Sequence, residues 1–547
     1  MAARQSRDEF IEALNQVLAV LEGDFSALAL RLAEEIYGVK GESATKTRMA
    51  QHRFHAFAWM QTYVVALRQS LLASEALQSE ADWLMFEIGA SEYLSQLRSG
   101  IAMSQGEYAR YSDFSVSTPS PGAVMSDTAS RLMVHGADPE RRASLANLLA
   151  HGEDFAGGVD GADMAAVREQ FRRFADDRIA PFAHRWHERD ELIPIQTISE
   201  LAGLGVFGVT TPEAYGGLGM GALAMCVISE ELSRGYIGAG SLGTRAEIAG
   251  ALIAANGTEE QKSYWLPRLA SGDVLPTAVF TEPGAGSDLA SLRTRAQKVE
   301  GGYRLYGAKT WITHGARSDL MTLLARTDPA STDHRGLTMF LAEKTRGGDG
   351  APFPDAGIAG GEIKVLGYRG MKEYEIAFDG FFVSARNVLG GVEGQGFKQL
   401  MRTFESARIQ TAARAIGVAR NAFDLAVRYA VERRQFGERL LAFPRIADKI
   451  ALMASEIRMA QHLTYFAARR KDDGDRCDIE AGMAKLLAAR TAWSAADNAL
   501  QIHGGNGYSN EYEISRVFCD ARILSIFEGA AEIQAQVIAK GLLEAAR

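Results

Sequence analysis

Near the end of this 547-residue chain, Glu528 interrupts an apolar run, Ile526-Phe527-Glu528-Gly529-Ala530-Ala531. Apolar surroundings disfavour a charged carboxylate and raise its pKa, and a carboxylate tuned in that way serves as a general base near neutral pH. The same residue also reads as an acid in the first turn of a helix, where it complements the dipole. A second stretch, Thr281-Glu282-Pro283-Gly284-Ala285-Gly286-Ser287-Asp288, sets two glycines two apart beside a hydroxyl. Such a loop cradles a phosphate or a polar ring edge, although an ordinary turn has similar composition. It is not a dinucleotide fingerprint, because a β-forming rather than a helical pattern follows. In Lys309-Thr310-Trp311-Ile312-Thr313-His314-Gly315, Trp311 flanked by hydroxyls could border a flat aromatic cofactor or fill a core. Arg433 and Arg434, ahead of Gln435-Phe436-Gly437, suit a pyrophosphate or simply the end of a helix dipole. Gln501-Ile502-His503-Gly504-Gly505-Asn506-Gly507 carries more glycine than a helix cap requires, which suggests close backbone approach to something else. His503 itself reads as a helix-terminal histidine. No His/Cys/Asp cluster has metal-ligand spacing, and no Gly-x-Ser-x-Gly elbow occurs.

These residues need a scaffold, and the hydrophobic pattern describes one. Phe10, Ile11, Leu14, Val17, Leu18 and Leu21 recur at helical spacing, as do the apolar residues of 54–72. Residues 104–127, with Ser-Thr-Pro-Ser-Pro-Gly at 117–122, read as a linker, 129–149 as a short helical piece, and glycine-rich 152–161 as a second boundary. Helical pattern runs from 163 to about 270. Short β-rich segments follow at 274–281, 303–312, 320–325, 336–342 and 375–383, the signature of a barrel or sandwich. Long amphipathic segments at 412–431, 442–469 and 480–503 imply a helical bundle. The expected organisation is mainly α with a central β-domain: a helical extension with linker over 1–150, a helical domain over 151–273, the β-domain over 274–392 and a C-terminal bundle over 393–547.

Composition narrows the classes. Apolar content of 47%, charged content of 23% and a net charge of −9 fit a globular protein without a field for nucleic acid or anionic membrane. Cys226, Cys477 and Cys519 are too dispersed for a disulfide framework. The charged start shows no signal peptide and no apolar stretch of bilayer length is expected, so the expected setting is cytoplasmic.

In order and spacing, the Thr281–Asp288 loop, Trp311-Ile312-Thr313, Arg433–Gly437, Gln501–Gly507 and Phe527-Glu528-Gly529 together resemble the acyl-CoA dehydrogenase family over residues 163–547. The resemblance implies a helical, β, helical architecture that binds FAD at a subunit interface and oxidises an acyl-CoA. It implies that Phe280, Thr281, Gly286 and Ser287 line the flavin and the adjoining acyl-CoA, and that Trp311 and Thr313 border the isoalloxazine. Arg433, Gln435 and Phe436 would reach the ADP part of FAD in a neighbouring subunit, with Gln501, Gly504 and Gly505 also across that interface. Ala530 and Glu532 stand near the adenosine end, where Ala530 lacks the hydroxyl the family often has. Glu528 would remove the α-proton while the β-hydrogen leaves as hydride to flavin N5. Its backbone N–H and a ribityl hydroxyl would support the enolate-like oxygen. The other position at which family members carry the base is Ala407 here, and Arg408 would help order the catalytic loop. The resemblance further implies electron-transfer flavoprotein as electron acceptor and a homodimer or homotetramer.

Substrate choice turns on Arg245, in the segment that floors the acyl pocket of the family. A buried guanidinium needs an anionic partner, either Glu247 or a carboxylate on the substrate. The resemblance, to members of the family that carry such an N-terminal extension, implies together with Arg245 a short branched dicarboxylic acyl-CoA, contacted by Ser287, Arg245, Arg408 and Gly529. Branched monocarboxylic acyl-CoA, an oxidase, and a nucleic-acid-associated flavoprotein homologue are the alternatives, the last disfavoured by the acidic balance. The extension is expected to cover the acyl entrance or to cement the oligomer.

Overall fold

A computed structural model describes residues 2–37, 50–103, 106–114, 122–153, 161–348, 350–401 and 403–547. The chain divides into two compact units, residues 1–165 with 411–547, and residues 166–410.

In the first unit the N-terminal helices are α1 (Ala2–Tyr37), α2 (Gln51–Ala73), α3 (Glu80–Ser99), α4 (Asp127–Ala137) and α5 (Pro139–Ala150). Local chemistry sets their ends. Ser79 and Ser126 accept the backbone N–H of Asp82 and Ala129, and Asp138 caps α5 ahead of a proline in its first turn. That Asp138-Pro139 break divides the single helical piece expected over 129–149. The C-terminal helices are α10 (Phe404–Glu432, from residue 411), α11 (Pro444–Asp472), α12 (Asp478–His503), α13 (Ile514–Ile523) and α14 (Ala531–Ala545). Helices α2, α3 and α5 pack on α11, and α1 and α2 on α14.

This contact carries an unusual amount of buried polarity. Arg458 donates to Asp82 at 2.7 Å, His462 Nδ1 lies 3.0 Å from the Ser70 hydroxyl, and Arg490 reaches Glu456 and the carbonyl of Ala102. Tyr63 stacks on Tyr93 at 4.1 Å. Gly89 lets α3 approach α11 closely, since a Cβ there would lie 3.1 Å from Met459. The N-terminal helices are therefore part of the same core as the C-terminal ones.

The second unit holds α6 (Gly161–Arg178, from residue 166), α7 (Gly221–Gly235), α8 (Ile237–Asn256), α9 (Glu259–Ala270) and a seven-stranded sheet. A Thr258–Gln261 capping box starts α9. The strands are β1 (Pro276–Val279), β2 (Arg295–Val299), β3 (Gly302–Thr313), β4 (Leu320–Arg326), β5 (Leu337–Glu343), β6 (Ile358–Ile363) and β7 (Glu373–Ser384). Their order is β1-β4-β2-β3-β7-β6, with β5 paired to β4. β4, Leu-Met-Thr-Leu-Leu-Ala-Arg, is buried at every residue but its last and carries five apolar side chains, as suits a strand covered on both faces. Apolar residues of α8 and α9 pack with Leu320, Leu324, Leu337, Met339 and Leu341, fastening helices to sheet.

Several expectations need adjustment. β2 and β6 were not anticipated, because Arg-Ala-Gln-Lys-Val and Ile-Ala-Gly-Gly-Glu-Ile lack a clear β-forming alternation. The expected linker, 104–127, holds the strand Tyr108–Ala109, which pairs with Ile101–Ala102 just ahead of it, and a helical turn at Gly122–Met125, while 104–105 and 115–121 lie outside the described residues. Most of the second glycine-rich boundary, 154–160, also lies outside them. Contrary to the expectation of no bilayer-length apolar stretch, residues 6–37 are long and apolar enough to cross a membrane. Their stripe of Phe10, Leu14, Leu18, Leu21 and Phe25 is nonetheless buried in this unit.

Asp82→Ala strips Arg458 of its buried carboxylate. It is expected to cost about 3–5 kcal/mol, read as a lower urea-unfolding midpoint. An unchanged midpoint would show the contact to be dispensable.

Candidate active site

In the unit of residues 166–410, the loop after β1 is pinned to the end of β3. The Glu282 carboxylate accepts the backbone N–H groups of Arg293 and Thr294 at 2.7 and 2.8 Å, and the Lys309 ammonium at 3.0 Å. Lys309 also donates to the Phe280 carbonyl at 2.8 Å, and the Thr310 N–H to the Thr281 carbonyl at 3.0 Å. Burial pushes the Lys309 ammonium down to about 8, against the pull of Glu282. This brings Phe280, Thr281, Gly286, Ser287, Trp311 and Thr313 onto one scaffold. At Gly284 and Gly286 a Cβ would meet nothing within 4 Å, so the loop surface is open.

Trp311 is not a core residue. The pairing of β3 with β7 shifts register between Lys309 and Ile312, and Trp311 bulges out with φ 58° and 56% exposure. Positive φ is unusual for a bulky side chain, and the bulge turns its indole away from the sheet core. Thr313 is buried, its hydroxyl donating to Glu373 at 2.8 Å while its carbonyl accepts the Thr277 hydroxyl.

On α8, Arg245 is 8% exposed and Glu247 is also buried. The Ser241 hydroxyl pairs with that of Tyr368. Buried His314 is held down to about 3, first by desolvation and then by the charges of Arg317, Arg346, Arg245 and Lys344. Several cations thus act on this one imidazole, and of these Arg346 is already paired with Asp319. Ala407 is packed in the core, and Arg408 lies over the Phe404 ring at 5.8 Å.

In the other unit, Glu528 is not in a helical first turn. It sits in a bend, half-buried, two residues ahead of Ala530, the N-cap of α14. Glu528 and Gly529 are both left-handed, φ 52° and 89°. Lys485 donates to the Gly529 carbonyl at 2.6 Å, and Gln534 to the carbonyls of Glu528 and Gly529 at 3.1 and 3.2 Å. The guanidinium of buried Arg414 lies 4.9 Å from the Phe527 ring centre. Glu532 is in the first turn of α14.

The remaining motifs of this unit lie at its surface. Arg434–Gln435 and Glu438–Arg439 form a hairpin whose loop residues Phe436 and Gly437 both have positive φ, the two-residue turn that a tight hairpin needs. Arg433 and Gln435 are exposed, and Phe436 is 95% exposed. Gln501, Gly504 and Gly505 are exposed at the end of α12, with open space at both glycines. His503 instead stacks on Tyr429 at 4.2 Å, a structural role. Sequence reasoning missed Lys485, Gln534, Arg414 and Lys309. A lysine within Met483-Ala484-Lys485-Leu486-Leu487 is the signal that could have been used, since burying an ammonium demands acceptors.

Three family models match the chain: the N-terminal, middle and C-terminal domains of acyl-CoA dehydrogenase, at residues 162–273, 277–381 and 394–543. The (2S)-methylsuccinyl-CoA dehydrogenase of Cereibacter sphaeroides is 58% identical over 97% of both chains. The structure of a glutaryl-coenzyme A dehydrogenase with glutaryl-CoA matches 72% of this chain and 98% of its own, at 32% identity and a TM-score of 0.66. Butyryl-CoA dehydrogenase from Megasphaera elsdenii matches 72% of this chain and all of its own, at 33% identity and the same 0.66.

Buried His314, left-handed at φ 61°, is expected to make the fold acid-sensitive. Between about pH 6.5 and 3 the unfolded chain takes up a proton that buried His314 refuses, so stability falls as pH drops through that window. His314→Asn, which tolerates the left-handed backbone, should flatten the decline of the unfolding midpoint below pH 6.5. A decline as steep as in the parent would contradict the assignment.

Proposed function

This chain belongs to the acyl-CoA dehydrogenase family, and from that premise we propose that it oxidises (2S)-methylsuccinyl-CoA to mesaconyl-CoA with bound FAD. The likeness to a (2S)-methylsuccinyl-CoA dehydrogenase spans 97% of the chain, whereas the glutaryl- and butyryl-CoA enzyme structures match 72%. The reading is carried by Glu528, a lone carboxylate held in a left-handed bend clear of any helical turn.

The residues present fit a flavin. Open glycines at 284 and 286, the bulged indole of Trp311 and the hydroxyl-bearing Thr281 and Ser287 offer a surface for a flat, polar-edged ring, whereas the buried Thr313 hydroxyl is given to Glu373. Exposed Arg433, Gln435 and Phe436, with Gln501, Gly504 and Gly505, offer charge and backbone to a dinucleotide, in the family manner on a neighbouring copy. Ala530 and Glu532 would lie near its adenosine end. When bound, FAD supplies the two-electron acceptor for the β-hydrogen. Glu528 would take the α-proton onto its carboxylate, while its main-chain N–H meets the thioester oxygen as charge develops there. Gly529 beside the base, Ser287 and Arg408 would border the acyl-CoA.

The distal carboxylate distinguishes this substrate from a simple branched acyl group. Arg245, buried with other cations acting on His314, supports a site for that anion. Electron-transfer flavoprotein is the proposed acceptor of the electrons, and a homodimer or homotetramer the proposed assembly.

Glu528→Gln should keep its FAD and lose bleaching of the flavin by substrate under anaerobic conditions; retained bleaching would overturn the base. Arg245→Met should reduce kcat/KM for (2S)-methylsuccinyl-CoA by about 100-fold, the scale of a lost charge-assisted bond of ~1.5–3 kcal/mol, and leave isobutyryl- and 2-methylbutyryl-CoA much less affected. Equal losses on all three would remove the carboxylate reading.

A further inference from the structure

We propose that Lys485 and Gln534 are positioning residues for Glu528, acting on its backbone and not on the substrate. The proposal rests on the reading of Glu528 as base. Two consecutive left-handed residues, Glu528 and Gly529, form a backbone segment that is unfavourable at the non-glycine and persists only where its surroundings over-determine it. Here both carbonyls that follow the two left-handed Cα atoms are held. Lys485 and Gln534 are fully buried, and together they make three hydrogen bonds to the Glu528 and Gly529 oxygens.

The consequence is geometric. Each peptide unit is planar, so fixing the Glu528 oxygen fixes the plane joining residues 528 and 529. Fixing the Gly529 oxygen fixes the next plane, which leads into the N-cap of α14 at Ala530. Behind them, Arg414 over the Phe527 ring holds the preceding residue. With both following peptide planes held, Glu528 keeps little backbone freedom on its C-terminal side and its Cα is anchored at the start of the fixed segment. The donors stand on two helices, α12 and α14, which pack on each other. The fit leaves no slack at the glycine, where a Cβ would lie 2.2 Å from the Gln534 amide nitrogen.

The Lys485 bond is charge-assisted and the stronger tether. Its ammonium is a costly group to bury in the apolar stretch of α12, and the shape of the base loop is what that burial secures. Loosening the clamp would blunt proton removal with little effect on acyl-CoA binding.

The test compares Lys485→Met, Lys485→Arg, Gln534→Leu and Glu528→Gln in the FAD-loaded full chain, with (2S)-methylsuccinyl-CoA and its α-deuterated form. Lys485→Met should slow the limiting rate of flavin reduction by about 10–100-fold, the scale of a misplacement near 1 Å. The α-deuterium isotope effect should rise, because proton removal becomes more rate-limiting. FAD content, and binding of mesaconyl-CoA read from the flavin absorption, should stay within about threefold of the parent, as for a group felt only in the transition state. Lys485→Arg should recover part of the rate. An unchanged rate would overturn the proposal, as would a fall in rate, product binding and unfolding midpoint together with no change in isotope effect. If Lys485→Met does not fold, Gln534→Leu is read by the same criteria. Continued flavin reduction by Glu528→Gln would instead sink the base itself. Its loss there, beside parent-like Lys485→Met and Gln534→Leu, would sink only the clamp.

Discussion

The chemistry proposed for this protein hangs on a short piece of backbone that is unfavourable by itself. Phe527-Glu528-Gly529 turns through two left-handed residues, and the turn is held by an ammonium and an amide buried beneath it. A carboxylate in a regular first helical turn would be solvated and would point along the helix surface. The bend instead detaches Glu528 from α14 and gives it a fixed, half-buried position. The helices around it exist in the density needed to bury Lys485 and Gln534, and the N-terminal helices thicken that same core through Asp82, Ser70 and the Tyr63–Tyr93 stack.

The β-containing unit solves a related problem by related means. A loop rich in glycine has many conformations, and one must be selected if it is to meet a ligand. Lys309 and Glu282 select it by linking the loop to the end of β3 through a buried ion pair and three further hydrogen bonds to loop or adjoining backbone. A buried pair of this kind adds little net stability; its value is that one loop geometry satisfies it. The register shift in β3 then presents Trp311 to the surface from a strand whose neighbouring residues are buried.

Much of this was legible in the sequence, and the reasons are specific. Helices α2, α11 and α12 are long, apolar-rich segments and β4 and β5 short apolar runs, so their types followed from segment length and composition. Each motif alone also had an ordinary structural reading; it was their order and spacing together that carried the resemblance to the acyl-CoA dehydrogenase family. Lys485 and Gln534 escaped notice because their role is to bind backbone oxygens of a turn, and a turn brought about by tertiary contacts leaves no local pattern. The alternative of Trp311 as a core residue failed for the same reason: a bulge depends on the partner strand. Arg245 was identifiable as an oddity in an apolar helix, but the other cations that act on His314 come from distant segments, Arg317, Lys344 and Arg346.

The central claim is that Glu528 and a bound flavin together desaturate a dicarboxylic acyl-CoA. The most direct test is an anaerobic titration of the purified, FAD-containing protein with (2S)-methylsuccinyl-CoA, following flavin absorption and identifying the acyl product by mass spectrometry. The account predicts stoichiometric loss of oxidised flavin with formation of mesaconyl-CoA. Flavin that stays oxidised with this substrate, while isobutyryl- or 2-methylbutyryl-CoA reduces it, would contradict the account.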